Sequence, residues 1–271
     1  MTSDGAPGDI DYLAYLARES ARFAEVLQQT RSDKRVPTCP DWDADDLIWH
    51  LAEVQWFWGS IVGRGLTDYA DVQTLDSGGR PGEHFGLVAF YRQATSDLHQ
   101  NLSSASPDQA AWTWSDEQTV GFIRRRQAHE ALIHRLDAEL TARDRTPMDP
   151  VLSTDGVDEV LRIMYTGVPS WGQFAADPNQ TIRFHTTDTG SSWLVTLGQF
   201  TGTNDDGTTY DKPHLEVAVS DLGDQSAASV SGTAADLDCW LWNRPPQRKI
   251  ERDGNPMVLA RLDEILAEGI A

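Results

Sequence analysis

Two prolines within four residues, Pro147 and Pro150, separate two stretches of chain whose apolar residues recur with different periods. Apolar side chains must share a face before they can be buried together, so the period decides which element a stretch can build. Ahead of the prolines the period is helical. Leu13, Leu16, Ala17, Phe23, Ala24 and Leu27 recur near that spacing between Asp11 and Thr30, and Leu47, His50, Leu51, Val54, Phe57, Trp58 and Ile61 share one face of a second helix. Its lead-in, residues 36–43, is rich in turn formers. Asp41 or Asp43 can cap it, Asp45 and Asp46 suit the positive end of its dipole, and Gly63 and Gly65 end it. A third helix is predicted over 83–102 and a fourth over 119–142, with a Gly- and Asp-rich loop at 64–82 and a loop holding Pro107, Trp112 and Trp114. Four helices joined by medium links predict an antiparallel bundle. Beyond the prolines, 157–165 still reads as helix. Residues 181–186 and 192–197 then alternate as strands about the turn signal Thr187-Asp188-Thr189-Gly190. Strands at 215–219 and 228–230 and helices at 234–242 and 257–268 complete the pattern. The expected architecture is multidomain, α and α+β, with a four-helix bundle over 1–148 and a smaller α+β domain over 149–271.

Ten Trp, eight Phe and six Tyr provide large buriable surfaces, which argues against disorder. The net charge of −20, from 22 Lys plus Arg against 42 Asp plus Glu, repels nucleic-acid backbones and anionic lipid, so neither is expected as a partner. No run of eighteen apolar residues predicts a transmembrane helix. Cys39 and Cys239 are too few and too far apart for a disulfide framework or a thiolate zinc cluster, which suits a reducing compartment. The first residues are acidic and lack a basic region followed by an apolar core, so no signal peptide is expected and the predicted location is cytoplasmic.

One constellation could carry chemistry. His50 lies on the apolar face of its helix, where a histidine is either a core residue with hydrogen-bonded ring nitrogens or a ligand. Glu130 and His134, four apart on the fourth helix, stack on one face and could meet a single ion or simply pair with each other. His129-Glu130 imitates the HExxH zinc-protease motif, but His129 and His134 are five apart, about 140° around the helix. His129 shares a face with Ile133, Leu136 and Leu140 and stays a rival ligand. Asp137, three residues after His134, could orient a ligand or pair with Arg135 or Lys34. The consecutive Arg124, Arg125 and Arg126 point in three directions and are expected to be solvated or paired with bundle acids. Cys39 reads as a small packed thiol.

The runs Val36-Pro37-Thr38-Cys39-Pro40-Asp41-Trp42 and Leu47-Ile48-Trp49-His50-Leu51 resemble the first-ligand region of the mycothiol-dependent maleylpyruvate isomerases. So do Val120-Gly121-Phe122 and the stretch from His129-Glu130 through His134-Arg135 to Asp137-Ala138-Glu139. That family belongs to the DinB/YfiT-like four-helix metalloproteins. The resemblance implies zinc held by His50, Glu130 and His134, and mycothiol, the low-molecular-weight thiol of actinobacteria, as cofactor or co-substrate. Residues 181–196, 230–237 and 240–244 look like the family's smaller C-terminal domain, which is similar in fold to sterol-carrier proteins. It also implies a functional arginine in the last of these stretches, matched by Arg244, whose guanidinium could clamp a carboxylate.

Two imidazoles and a carboxylate leave zinc an open position, where a thiol binds as thiolate. Two outcomes fit: cis–trans isomerisation of a small electrophilic substrate, or transfer of the sulfur to it. A zinc hydrolase that needs no thiol, and a non-catalytic metal- or thiol-binding stress or regulatory protein, are the competing readings.

Overall fold

The computed structural model describes residues 10–218 and 226–270. They fall into two compact units, Met1–Pro147 and Met148–Ala271.

The first unit is built on four long helices, α1 (Tyr12–Gln28), α2 (Ala44–Arg64), α4 (His84–Ser104) and α5 (Val120–Ala142), with a short α3 (Tyr69–Val72) in the link between α2 and α4. Local chemistry sets their ends. Asp43 and Asp46 form a capping box at the start of α2, each carboxylate accepting from the other's backbone N–H at 3.0 Å. Gly65 ends the helix with φ 65°, a conformation that glycine reaches without strain. Thr119 caps α5 by accepting from the Phe122 N–H. The turn-rich lead-in to α2 is a small antiparallel ribbon, β1 (Arg35–Val36) and β2 (Cys39–Asp43).

Contacts between helices set the topology. Glu19 and Arg22 of α1 pair with Arg135 and Glu139 of α5 in the same order, so these two helices run parallel. So do α2 and α4, where Asp45 meets His84, Gln55 meets Thr95 and the Gly59 carbonyl accepts from Asn101. One end of the core takes Phe23 and Leu27 from the C-terminal half of α1 and Ala138 from that of α5. It joins them to Leu47, Leu51, Leu87 and Tyr91 from the N-terminal halves of α2 and α4. The direction is therefore up-down-down-up, with antiparallel relations between the two parallel pairs. Joining α2 to α4 requires a link that travels the length of a 21-residue helix, about 30 Å, and residues 65–83 make that crossing. At Gly59 the two helices come so close that a Cβ would lie 3.2 Å from the Leu98 Cα.

The second unit opens with α6 (Pro150–Glu159), capped by Asp149, and one π-helical turn over Val160–Met164. Strands β3 (Gly172–Thr186), β4 (Ser192–Thr203), β5 (Thr209–Val217), β6 (Ala228–Gly232) and β7 (Glu251–Gly254) form a sheet in the order β5-β4-β3-β6-β7. Only the β3–β6 pairing is parallel. Helices α7 (Ala234–Leu241) and α8 (Pro256–Ala267) complete the unit. Its core gathers Phe184, Val195, Leu197 and Val230 of the sheet with Val157, Leu161, Leu237 and Leu262 of the helices. The hairpin expected over 181–197 is present but longer, because its far part is a largely exposed ribbon whose residues need not alternate. Strand β7 has no buried residue, so no hydrophobic pattern marks it. Val219, in the strand expected over 215–219, lies outside the described residues. No helix among the described residues is long and apolar enough to cross a membrane.

Candidate metal centre

The antiparallel relation of α2 and α5 brings His50 of the first onto Glu130 and His134 of the second. One ligand-type atom from each of the three lies within 4.8 Å of the other two, and among the described residues no other such group of histidines, cysteines and acids occurs. Glu130 Oε1 is 3.1 Å from His134 Nε2 and 3.5 Å from His50 Nε2. Donors that bind one zinc tetrahedrally at about 2.0–2.1 Å stand about 3.4 Å apart. The donor set and spacing thus fit such an ion with small adjustments. The imidazoles meet edge to face, with centroids 4.7 Å apart.

Neighbouring groups hold each donor in place. His134 places Nδ1 3.0 Å from the Asp137 carboxylate, which also accepts from the Thr38 hydroxyl at 2.6 Å. Asp137 is completely buried. Because Nδ1 is engaged there, Nε2 is the nitrogen turned toward Glu130 and His50. Arg126, also buried, donates to the second oxygen of Glu130 at 3.0 Å. The Trp42 ring lies 4.8 Å from that of His50 and 6.5 Å from that of His134, covering one side of the group. The side chain of His50 is 35% exposed against 9% for His134, so the group opens on the His50 side.

Charge is balanced within this cluster. Burial pushes the Glu130 carboxyl up, but hydrogen bonds from His134 and His50 and the charge of Arg126 outweigh it and hold the group well below the usual carboxylate range. Burial pushes the His134 ring down, and its hydrogen bonds to Asp137 and Glu130 reverse this, raising it to about 9. A metal ion must displace that proton at any pH below about 9. Apparent zinc affinity is therefore expected to rise by about tenfold per pH unit from pH 7 toward 9, as measured by chelator competition. Asp137→Asn should weaken zinc binding about 10–100-fold in the same assay.

The structure separates the other residues singled out in the sequence. His129 is buried with its ring against Tyr12 of α1, 6.3 Å between centroids, and stands outside the three-residue group. Arg124 donates to the Leu102 and Ala105 carbonyls at the end of α4. Cys39 lies on β2 and forms no disulfide with Cys239. Arg244 belongs to the second unit, just after α7, where its guanidinium donates to the Trp242 carbonyl at 2.8 Å. Thr38, Trp42 and Arg126 were not predicted as parts of the site. The four-residue spacing of Arg126 and Glu130, which puts them on one helical face, was the available signal.

Two family models match the chain. The mycothiol maleylpyruvate isomerase N-terminal domain covers residues 13–139, and the C-terminal domain of the same family covers 152–261. Two solved structures are similar in fold: a mycothiol-dependent maleylpyruvate isomerase (12% identity, TM-score 0.54) and a histidine-to-alanine mutant of a mycothiol-dependent maleylpyruvate isomerase (11% identity, TM-score 0.55). Each match covers 89% of this chain and 91% of the other. No curated protein matches the chain.

Proposed function

Because the chain belongs to the mycothiol maleylpyruvate isomerase family, we propose that it is a cytoplasmic metalloenzyme that uses mycothiol to act on a small electrophilic substrate. The convergence of His50, Glu130 and His134 at a point open on one side carries this reading. A zinc or similar divalent ion held by these three supplies Lewis acidity that favours the thiolate form of a bound thiol near neutral pH. Asp137 and Thr38 keep the His134 Nε2 turned inward, and Arg126 keeps one Glu130 oxygen engaged so that the other faces the imidazoles. Trp42 shields one side of the cluster from water. The reaction class is thiol-assisted cis–trans isomerisation of an activated alkene, or transfer of the sulfur to the electrophile.

Arg244 is assigned to holding a substrate carboxylate, since a guanidinium fork matches its two oxygens. Arg244→Gln is then expected to raise KM for an anionic substrate about tenfold or more, with metal content unchanged.

The deciding experiment incubates the zinc-loaded protein with mycothiol and a panel of cis-enediones and other electrophiles, read by mass spectrometry. An isomer of unchanged mass identifies an isomerase, and a thioether adduct identifies a transferase. Turnover that persists without mycothiol overturns the proposal in favour of a hydrolase. No turnover with any substrate, together with no metal uptake, would leave a binding module instead.

A further inference from the structure

The bundle buries two glutamines in opposite ways. Gln55 of α2 is fully buried and satisfied, donating to the Ser20 hydroxyl at 2.9 Å and accepting from the Thr95 hydroxyl at 2.5 Å. Gln127 of α5 is 1% exposed, yet neither its Oε1 nor its Nε2 has a hydrogen-bond partner among the described residues. Protein interiors keep few such groups, because each has given up water and received nothing in return.

The position of Gln127 connects it with the metal centre. It precedes Glu130 by three residues and His134 by seven, so the three side chains form one stripe along α5. At about 100° per residue, Gln127 points within about 20° of the His134 direction, one turn beyond Glu130. Side chains lean toward the N-terminus of their helix, which carries the stripe away from His134 and toward Gln127. Its neighbours on that face, Ile123 and Ala131, are completely buried and apolar. Because α2 runs antiparallel, the residues one and two turns past His50 on the His50 face are Val54 and Phe57, which are also apolar. The Gln127 carboxamide, with one donor side and one acceptor side, is thus flanked along α5 by apolar side chains on the stripe that carries Glu130 and His134, with the buried Arg126 guanidinium beside Glu130.

We infer that Gln127 binds the acylated cysteine of the thiol. An extended acyl-cysteine presents its own N–H and C=O on one side of its Cα, and one carboxamide can accept from the first and donate to the second. This is the chemistry on which mycothiol carries its sulfur, so the inference rests on the mycothiol reading above. Gln127 then selects among thiols rather than activating them.

The test uses zinc-loaded protein and two thiols, N-acetylcysteine methylamide and 2-mercaptoethanol, with binding followed by calorimetry. The wild type should bind the amide thiol at least tenfold more tightly. Gln127→Met, close to Gln in shape, should reduce that preference about tenfold while leaving the melting temperature equal or higher, because the unpaired buried amide is gone. Gln127→Asn, which withdraws the carboxamide by one carbon, should give the same loss of preference and guards against a fold defect in the first variant. An unchanged preference in both variants overturns the inference and leaves the mycothiol reading standing. If the wild type binds neither thiol, the mycothiol reading fails and the assignment of Gln127 fails with it.

Discussion

Replacing His50 by alanine is expected to abolish stoichiometric zinc binding and to lower kcat/KM by more than about a hundredfold. Loss of a group that only orients a ligand costs about 10–100-fold, and loss of one of three direct donors should exceed that. The fold should survive, because the His50 side chain is 35% exposed and its removal leaves no enclosed cavity. Element analysis after chelation and reconstitution, alongside far-UV circular dichroism, separates the two effects. Metal content equal to that of the wild type would end the assignment of His50 as a ligand. An unfolded variant would mean that its place on α2 serves the bundle instead.

Arg135→Met is expected to destabilise the first unit by about 3 kcal/mol, the low end of the cost of breaking a buried ion pair, because Glu19 and Glu139 lose their buried cation and keep only the more exposed Arg18 and Arg22. Arg135 is 2% exposed and donates to Glu19 at 2.7 Å and to Glu139 at 2.8 Å. Glu139 also accepts from Arg22 at 2.8 Å and from the Thr146 backbone N–H, so the network ties α1 to α5 and to the chain that leaves it. Domains are commonly stable by about 5–15 kcal/mol in all, so the loss should be large in a urea titration. Adding Glu19→Gln and Glu139→Gln to Arg135→Met should restore part of the stability, since the under-compensated buried charges go with their partner while Arg18 and Arg22 stay partly exposed to water. A shift under about 1 kcal/mol in the single variant would show that the network contributes little.

Much of the site was legible in one dimension. The spacing of Glu130 and His134 placed them on one helical face, and the apolar run around His50 placed that residue on the inward face of another. Asp43, one of two candidate caps, marked the start of α2 through a side chain that caps a nearby N–H group, an interaction three residues long. What joins these pieces was not legible. Thr38 reaches Asp137 across 99 positions, and Arg126 turns to Glu130 instead of solvent because α5 is buried nearly all round. The same burial made Arg135 and Glu139 core residues in a stretch that reads as a charged surface. Strand β7 was missed because an edge strand with no buried side chain pairs through its backbone alone.

The sequence by itself determined the four long bundle helices, the hairpin of β3 and β4 and the two last helices, where the texture changes near Pro147 and Pro150, and which faces of those elements point inward. These depend on periodicity and on interactions within a few residues. Only the tertiary structure decided that α2 and α4 run side by side in one direction, that His50 stands 3.5 Å from Glu130 while His129 turns to Tyr12, and that Gln127 has no hydrogen-bond partner among the described residues where Gln55 has two. Periodicity states which face is buried but not against what, and the meeting of distant side chains follows from how helices pack.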